Sequence, residues 1–357
     1  MSSANVIFVS THLPTLKVPE AGQKLAYNRL VEISKKSNVH LIALANEQEM
    51  QYYNMEDYDF CKSVSVFGVS KIGRLFNLLM NLTLPFHIAI KNDRKINSAI
   101  ADLLKVIPDC SFHVEYEQGA IFIPQNKKIN STLVFHDVIS QSLLRFAEQS
   151  DSVLKRYFFK MQYKKIIKWE RNELLPIENI IVLNQKDKDL LSSVLGRENN
   201  VSVDYPKIAA EFYQARSNLR ERGQMIFWGA MNRPENVDSV QWFVDNILPK
   251  ILEKAPHAVL NVVGANPPAE LLKLQSNNIK FTGFVDSSVP FFEKAEVAVV
   301  PLRFGAGIKL KVVEALATKT PVVTTSVGAE GIIDGDELLT IADSEDEFAS
   351  QVIRLLS

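Results

Sequence analysis

Residues 297–326 read VAVVPLRFGAGIKLKVVEALATKTPVVTTS, and their pattern decides the fold. Val297–Leu302 is an apolar, β-branched run with the length of a buried strand. Gly305 and Gly307 interrupt it and mark a turn. Leu310, Val313 and Ala317 then fall on one helical face that would seat on a sheet. Pro321–Ser326 supplies a second strand, so the stretch reads as strand, glycine turn, helix, strand. That order predicts a parallel sheet covered by helices, which is the α/β class.

The alternation continues in both directions. Met225–Gly229, Ala258–Gly264, Lys280–Phe284 and Leu338–Ala342 read as further strands of this second series. The first half gives strands at Asn5–Thr11, Val39–Ala45, Ser63–Val69, Ser111–Glu117, Thr132–Val138 and Asn179–Asn184, with helices between them. One helix starts near Gly22, and Ala26, Leu30 and Ile33 give it a single apolar face. Between the two series, Gly196–Gln224 shows no strong strand and no long apolar helix. The boundary is therefore placed near Pro206, giving Rossmann-like domains over 1–205 and 206–357. A chain of 357 residues suits two cores better than one. Ligands in such sheets bind at the carboxyl ends of strands, so two facing domains predict a cleft there.

Composition narrows the class of function. Forty basic residues against 41 acidic ones leave a net charge of -1, with none of the cationic excess that a nucleic-acid partner requires. Cys61 and Cys110 form no CxxC pair, so neither a zinc site nor a disulfide framework is expected, and a reducing cytoplasm fits. Neither a secretion leader nor an apolar run of about 18 residues is seen. Lys155–Arg171, KRYFFKMQYKKIIKWER, interleaves cations with aromatics on a long helix, and Arg74–Ile90 is largely apolar. Together they read either as a peripheral surface for anionic lipid headgroups or a lipid-linked acceptor at the inner membrane face, or as core aromatics with a solvated lysine rim.

The glycine turn carries the chemistry. Gly305 and Gly307 let a ligand approach the backbone at a helix start, where amide hydrogens point outward. Lys309 and Lys311 fall in the first turn, where the helix dipole disfavours cations, so an anion such as a diphosphate is expected to compensate. Arg303 is a further cation for it. The same lysines also fit a solvated basic face, and Glu314 alone a solvent-facing carboxylate. Gly229 closes a strand before Asn232 and Arg233, with Pro234 opening a helix, so an anion could sit there too. His136 and Asp137 end a strand in the first half, and Glu115 and Gln118 end another. Pro249 is expected to kink or divide its helix.

The run Val299–Ile332, with FGAGIKLKVVEALATKTPVVTTSVGAEGI at its centre, resembles the donor site of retaining GT-B glycosyltransferases of the family 4 type. So do WGAMNRPENVDSVQWFVDNILPKI (Trp228–Ile251), VVGANPP (Val262–Pro268) and FTGFVDS (Phe281–Ser287), in matching order and spacing. The first half is similar more loosely, at Gly22, HVEYEQGA (His113–Ala120), VFHDV (Val134–Val138) and NIIVLN. The resemblance implies a first domain on the acceptor side and a second holding a nucleotide-diphosphate sugar as co-substrate, without a cofactor or metal. The acceptor it implies is a bacterial surface glycan or a lipid-linked saccharide.

It also implies residue roles. His136, Lys309 and Arg303 are the catalytic candidates. Gly229, Arg233, Gly305, Ala306, Gly307, Ile308, Leu310 and Glu314 are the donor-binding ones, and Gly22, Glu115, Gln118 and Asp137 line the acceptor side or cleft. Glu314 matches the second glutamate of the family's E-x7-E pattern, the ribose ligand. The first falls on Ala306, as in a subgroup whose loop reads GxGxxLK. Two rival readings stay open, a nucleotide-sugar epimerase and a catalytically silent nucleotide-binding subunit. After the strand near Leu338 only the helix Asp346–Leu355 follows, where related folds return a helix to the first domain, so the chain is expected to be either short or a fragment.

Overall fold

The computed structural model describes residues 4–18, 20–124, 129–150, 152–196, 200–305, 307–332 and 337–356. The chain divides into two compact units, Met1–Tyr205 and Pro206–Ser357. In the first, β1 (Asn5–Ser10), β2 (Asn38–Ala45), β3 (Ser63–Gly68), β4 (Cys110–Glu115), β5 (Ser131–Val134), β6 (Asn179–Val182) and β7 (Val201–Val203) form one parallel sheet in the order β3-β2-β1-β4-β5-β6-β7. In the second, β8 (Gln224–Trp228), β9 (Val259–Val263), β10 (Ile279–Gly283), β11 (Val297–Val300), β12 (Val322–Thr324) and β13 (Leu339–Ile341) run β10-β9-β8-β11-β12-β13, also parallel.

The central strands of both sheets are buried on two faces, which explains why they read as nearly continuous apolar runs. Along β1, Ile7 and Val9 enter one core with Ile42, Leu44 and Val114, while Val6 and Phe8 enter another with Leu41 and Leu30. Along β11, Val297 and Val299 pack with Met225 and Phe227, and Ala298 and Val300 pack with Ile226 and Val312. The helix Ala21–Ser34 lays Ala26 and Leu30 on the first sheet, with Ile33 packed at the edge of that core. Truncating Leu30 to alanine there would cost about 2–5 kcal/mol.

Two expectations need correction. Residues 196–224 do contain a strand: β7 pairs with β6 at Ile181↔Ser202, and a short helix follows at Ala210–Tyr213. With three residues β7 is too short to show a period, and only its partner defines it. The strand expected to reach Val138 ends at Val134, so His136 stands in the loop beyond it. The helix containing Pro249 is divided, because a π-helical turn at Phe243–Ile247 separates Pro234–Trp242 from Leu248–Lys254.

In each sheet the strand order reverses at one point, between β1 and β4 and between β8 and β11. The loops at the carboxyl ends of these four strands are where an open α/β sheet leaves room for a ligand.

Candidate functional site

In the first unit, β1 and β4 run in register so that Ser10 lies beside Glu115. The chain then continues into Thr11 and His12 on one side and Tyr116 on the other. Glu115 is fully buried and accepts from His113 Nε2 at 2.9 Å and His136 Nε2 at 2.7 Å, with Arg29 Nη1 at 3.3 Å. Burial opposes its ionisation, but the two histidine hydrogen bonds and the Arg29 charge outweigh it and hold the carboxyl well below the ordinary range. Arg29 also reaches Asp204 at 2.7 Å.

Tyr116 stacks on His136 with centroids 4.0 Å apart and tilts against His12 at 4.8 Å. Its φ of 70° is a left-handed conformation that a bulky residue adopts at a cost, and it turns the ring onto the two histidines. Gly22, in the first turn of the helix Ala21–Ser34, makes room for them. A Cβ there would stand 3.1 Å from both His136 Nδ1 and the Tyr116 hydroxyl.

Alongside, His12 Nδ1 meets Glu49 Oε1 at 2.8 Å, and Lys91 Nζ donates to the Thr11 carbonyl at 2.6 Å. Burial, reinforced by the Lys91 charge, pushes His12 down to about 4, and burial pushes Lys91 down to about 8. His12 is therefore a neutral imidazole at pH 7. With Nδ1 donating to the carboxylate, Nε2 carries the lone pair and can accept a hydrogen bond.

In the second unit, the turn after β11 leads into the helix Leu310–Ala317, whose N-cap position is Lys309. Lys309 is buried and its Nζ donates to the Gly307 carbonyl at 2.6 Å. Gly307 has a φ of 70° and Gly305 one of 128°, both conformations that favour glycine. Lys311 Nζ donates to Asn236 Oδ1 and lies 4.5 Å from the centre of the Phe227 ring. Burial is the main cause that pushes this lysine down to about 7, with the Arg233 and Lys309 charges adding to it.

Gly229 packs between these groups, since a Cβ on it would stand 2.9 Å from both Lys311 Nζ and Asn236 Nδ2. Trp228 Nε1 donates to Glu314 Oε2 at 2.8 Å, which orients that carboxylate. A cavity of about 800 Å³ beside the helix Pro234–Trp242 is lined by Met231, Asn232, Trp242, Asn266 and Arg303, among others.

The structure thus gathers Gly229, Gly307, Lys309 and Glu314 around one turn and one strand end, with Gly305 and the first helical residue Leu310 on the same turn. Ile308 is half-buried between Gly307 and Lys309, and Ala306 lies outside the described residues. Arg303 stands apart: its guanidinium pairs with Asp238 and lies 5.6 Å from the centre of the Trp242 ring, so its charge is already matched. Arg233 is exposed and lies 3.5 Å from Glu235. In the first unit Gly22 and His136 come together, while Glu115, expected to line the acceptor side or cleft, is fully buried and bonded to His136, His113 and Arg29. Gln118 Oε1 accepts from Thr11 at 3.4 Å, and half-buried Asp137 acts electrostatically on His87 and Glu117.

His12, Tyr116 and Lys91 were not singled out from the sequence. His12 had a usable signal, because it directly follows an opening strand whose carboxyl end was already marked by Gly22. Tyr116 and Lys91 had none: a left-handed φ and a lysine folded back over a strand end appear only in three dimensions. Among the described residues no group of His, Cys, Asp and Glu is arranged to hold a metal ion. Among the described residues, Asp-x-Asp pairs occur at Asp57/Asp59 and Asp187/Asp189, but Asp57 pairs with Lys17 and Asp187 serves a helix cap with Asn184.

Residues 222–357 match the model of the family described as glycosyl transferases group 1. The second unit is thus similar to the glycosyl transferases of group 1. Nearly all of that unit is matched, including the glycine turn, both lysines and Glu314. An uncharacterized 44.6 kDa protein in the cps region of Klebsiella pneumoniae is 24% identical over 293 residues, 72% of this chain and 72% of that protein. Sucrose-phosphate synthase from Thermosynechococcus elongatus aligns with a TM-score of 0.69 at 15% identity, covering 99% of this chain and 90% of its own. Anabaena HepE, solved with UDP and glucose, aligns at 0.62 and 14% identity over 99% of this chain and 90% of its own. The fold of the whole chain is accordingly GT-B, two Rossmann-like α/β domains.

Proposed function

We propose that this protein is a group 1 glycosyltransferase that moves a sugar from a nucleoside-diphosphate donor to a saccharide or lipid-linked acceptor, with retention of configuration and without a metal. The observation that carries the reading is Lys311. Lys311 is half-buried at a helix start, its ammonium hydrogen-bonded to the neutral oxygen of Asn236 and pushed down to about 7 chiefly by desolvation. A diphosphate at the turn would relieve that desolvation by supplying the opposite charge.

Lys309 and the Gly305 and Gly307 amides stand at the same turn to oppose charge on the departing diphosphate, a preorganised role that makes a divalent ion redundant. Glu314, held by Trp228, is oriented to accept from a vicinal diol such as ribose. His136 is the residue assigned to the transferred sugar, with Glu115 fixing its ring. UDP in the HepE structure supports UDP as the first nucleotide to try, and the cps-region relative supports a bacterial surface saccharide as acceptor.

Thermal shift against a panel of nucleotide sugars tests the reading, because a ligand bound only by the native state raises its stability. At least one donor, and its free nucleoside diphosphate, should raise the melting temperature of wild type and not of Lys309→Ala. A panel with no shift at millimolar concentration contradicts the proposal.

A further inference from the structure

The helix Lys71–Met80 is folded with its sides reversed relative to a helix on a soluble protein. Ile72, Leu75, Phe76 and Leu79 recur at i, i+3, i+4 and i+7, the spacing of a core-facing stripe. Yet they are 80%, 56%, 56% and 59% exposed, and no residue of this helix is buried. Its polar side is the one turned to the protein. Asn77 Nδ2 donates to the Ile90 carbonyl at 3.4 Å, Asn92 Nδ2 donates to Asn81 Oδ1 at 2.8 Å, and Arg74 is close enough to act on half-buried Lys91. Ser70 caps the helix by accepting from the Gly73 amide at 3.1 Å. These polar bonds fix the rotation, so the apolar stripe is presented outward by construction. Met80 and Leu82 continue it, at 56% and 62% exposure.

A second element joins this surface. In the helix Val153–Glu173, Lys165 Nζ donates to the Leu82 carbonyl at 2.6 Å, Gln162 accepts from the Phe86 amide, and Phe158 lies 5.9 Å from Phe86. Its first turns expose Val153, Leu154 and Tyr157 at 75%, 83% and 72%. Charge here is one-sided. Residues 71–92 and 152–169 contain no aspartate or glutamate, although the whole chain has more acids than bases. The second stretch alone carries Lys155, Arg156, Lys160, Lys164, Lys165 and Lys168.

We propose that the helix Lys71–Met80, with the basic face of the helix Val153–Glu173, docks this protein onto an anionic lipid bilayer. A short amphipathic helix lying in the interface plane buries an apolar stripe of this kind, and neighbouring lysines meet the headgroup charge. The cations decide for a bilayer over a second copy of the chain, which would set two basic surfaces against each other. Neither helix is long and apolar enough to cross the bilayer. The proposal does not rest on the sugar chemistry.

The test is flotation with vesicles of phosphatidylglycerol and phosphatidylcholine, against vesicles of phosphatidylcholine alone. Wild type should float with the anionic vesicles and bind neutral ones about tenfold more weakly, and Leu75→Ser/Phe76→Ser and Lys160→Glu/Lys164→Glu should each lose about tenfold. Phe76→Trp should shift its emission to the blue on anionic vesicles, a readout that needs no loss of binding. Wild type that stays with the soluble fraction, serine variants that float like wild type, or an unshifted Phe76→Trp would overturn the proposal. So would a lipid-free dimer that Leu75→Ser/Phe76→Ser dissociates, which would assign the stripe to a second copy.

Discussion

His136 Nε2 stands 2.7 Å from Glu115 Oε2, and the carboxylate that receives it is wholly buried. Since an ionised carboxylate only accepts, His136 must carry its proton on Nε2, and its Nδ1 is turned toward Gly22. That nitrogen has no hydrogen-bond partner among the described residues. Glu115 is in turn fixed by His113 and Arg29, so the ring is held by a network with little freedom.

Replacing Glu115 with alanine should therefore act on stability as well as on turnover. It leaves Arg29 with only the half-exposed Asp204 and removes a buried acceptor from two histidines, which should cost about 3 kcal/mol. The pH dependence has a definite sign. The carboxyl's pKa is lowered on folding, so its contribution is present above the ordinary value of 4.5 and lost as pH falls through the lower folded value. Urea unfolding of wild type and Glu115→Gln should converge in strong acid. Equal stabilities near neutral pH would show that the network does not hold the ring.

A second carboxyl pair should act in the opposite direction. Glu117 and Glu170 are buried close together, and burial followed by a neighbouring carboxylate pushes each well above the ordinary range. Acids with raised folded pKa values stabilise fully below about 4.5 and lose that contribution as pH rises through the folded values. The melting temperature of wild type should fall between about pH 5 and 9, and Glu117→Gln should flatten that fall. A parallel slope in the variant would mean that the pair is not protonated in the fold.

The fold was legible because the central strands are buried on two faces and read as apolar runs, while β3, with no buried residue, showed instead as the alternation SVSVFG. Strand ends were less so. Val134 ends β5, yet Phe135 and Val138 are as buried as the strand itself, and nothing in VFHDV marks where pairing stops. The glycine turn was legible in chemistry, since Gly305, Gly307 and Lys309 are adjacent in sequence. The Arg303–Asp238 pair was not, because 65 residues separate the partners and they meet only in the folded unit, where Arg303 also lies against the Trp242 ring.

Lys311 should make nucleotide affinity depend on pH. With the free lysine at about 7, diphosphate binding should draw a proton onto it, so affinity should fall as pH rises through neutrality. Titration calorimetry with UDP in buffers of different ionisation enthalpy should show proton uptake in wild type and none in Lys311→Met. The substitution should also cost about 1.5–3 kcal/mol of binding. Proton uptake unchanged in the variant would assign it to another group.

Gly264 is a structural requirement of the same strand ends. A Cβ on it would stand 1.9 Å from the Gly229 carbonyl oxygen, and its φ of 150° is one that side chains rarely adopt. Gly264→Ala should displace Gly229 and with it the contact to Lys311, lowering the melting temperature and weakening UDP binding together. A variant with wild-type stability and affinity would show that the two strand ends are not mutually constrained.

The central claim is tested most directly by following nucleoside diphosphate release from a donor sugar in EDTA, with and without a saccharide acceptor, in wild type, His136→Ala and Glu314→Ala. A metal-independent transferase releases the diphosphate in step with acceptor. His136→Ala should then lower kcat strongly while UDP binds as to wild type, and Glu314→Ala should weaken UDP through the lost ribose contact. Donor isomerised without acceptor, UDP bound tightly with no turnover on any donor, or activity abolished by EDTA and restored by magnesium or manganese would contradict it.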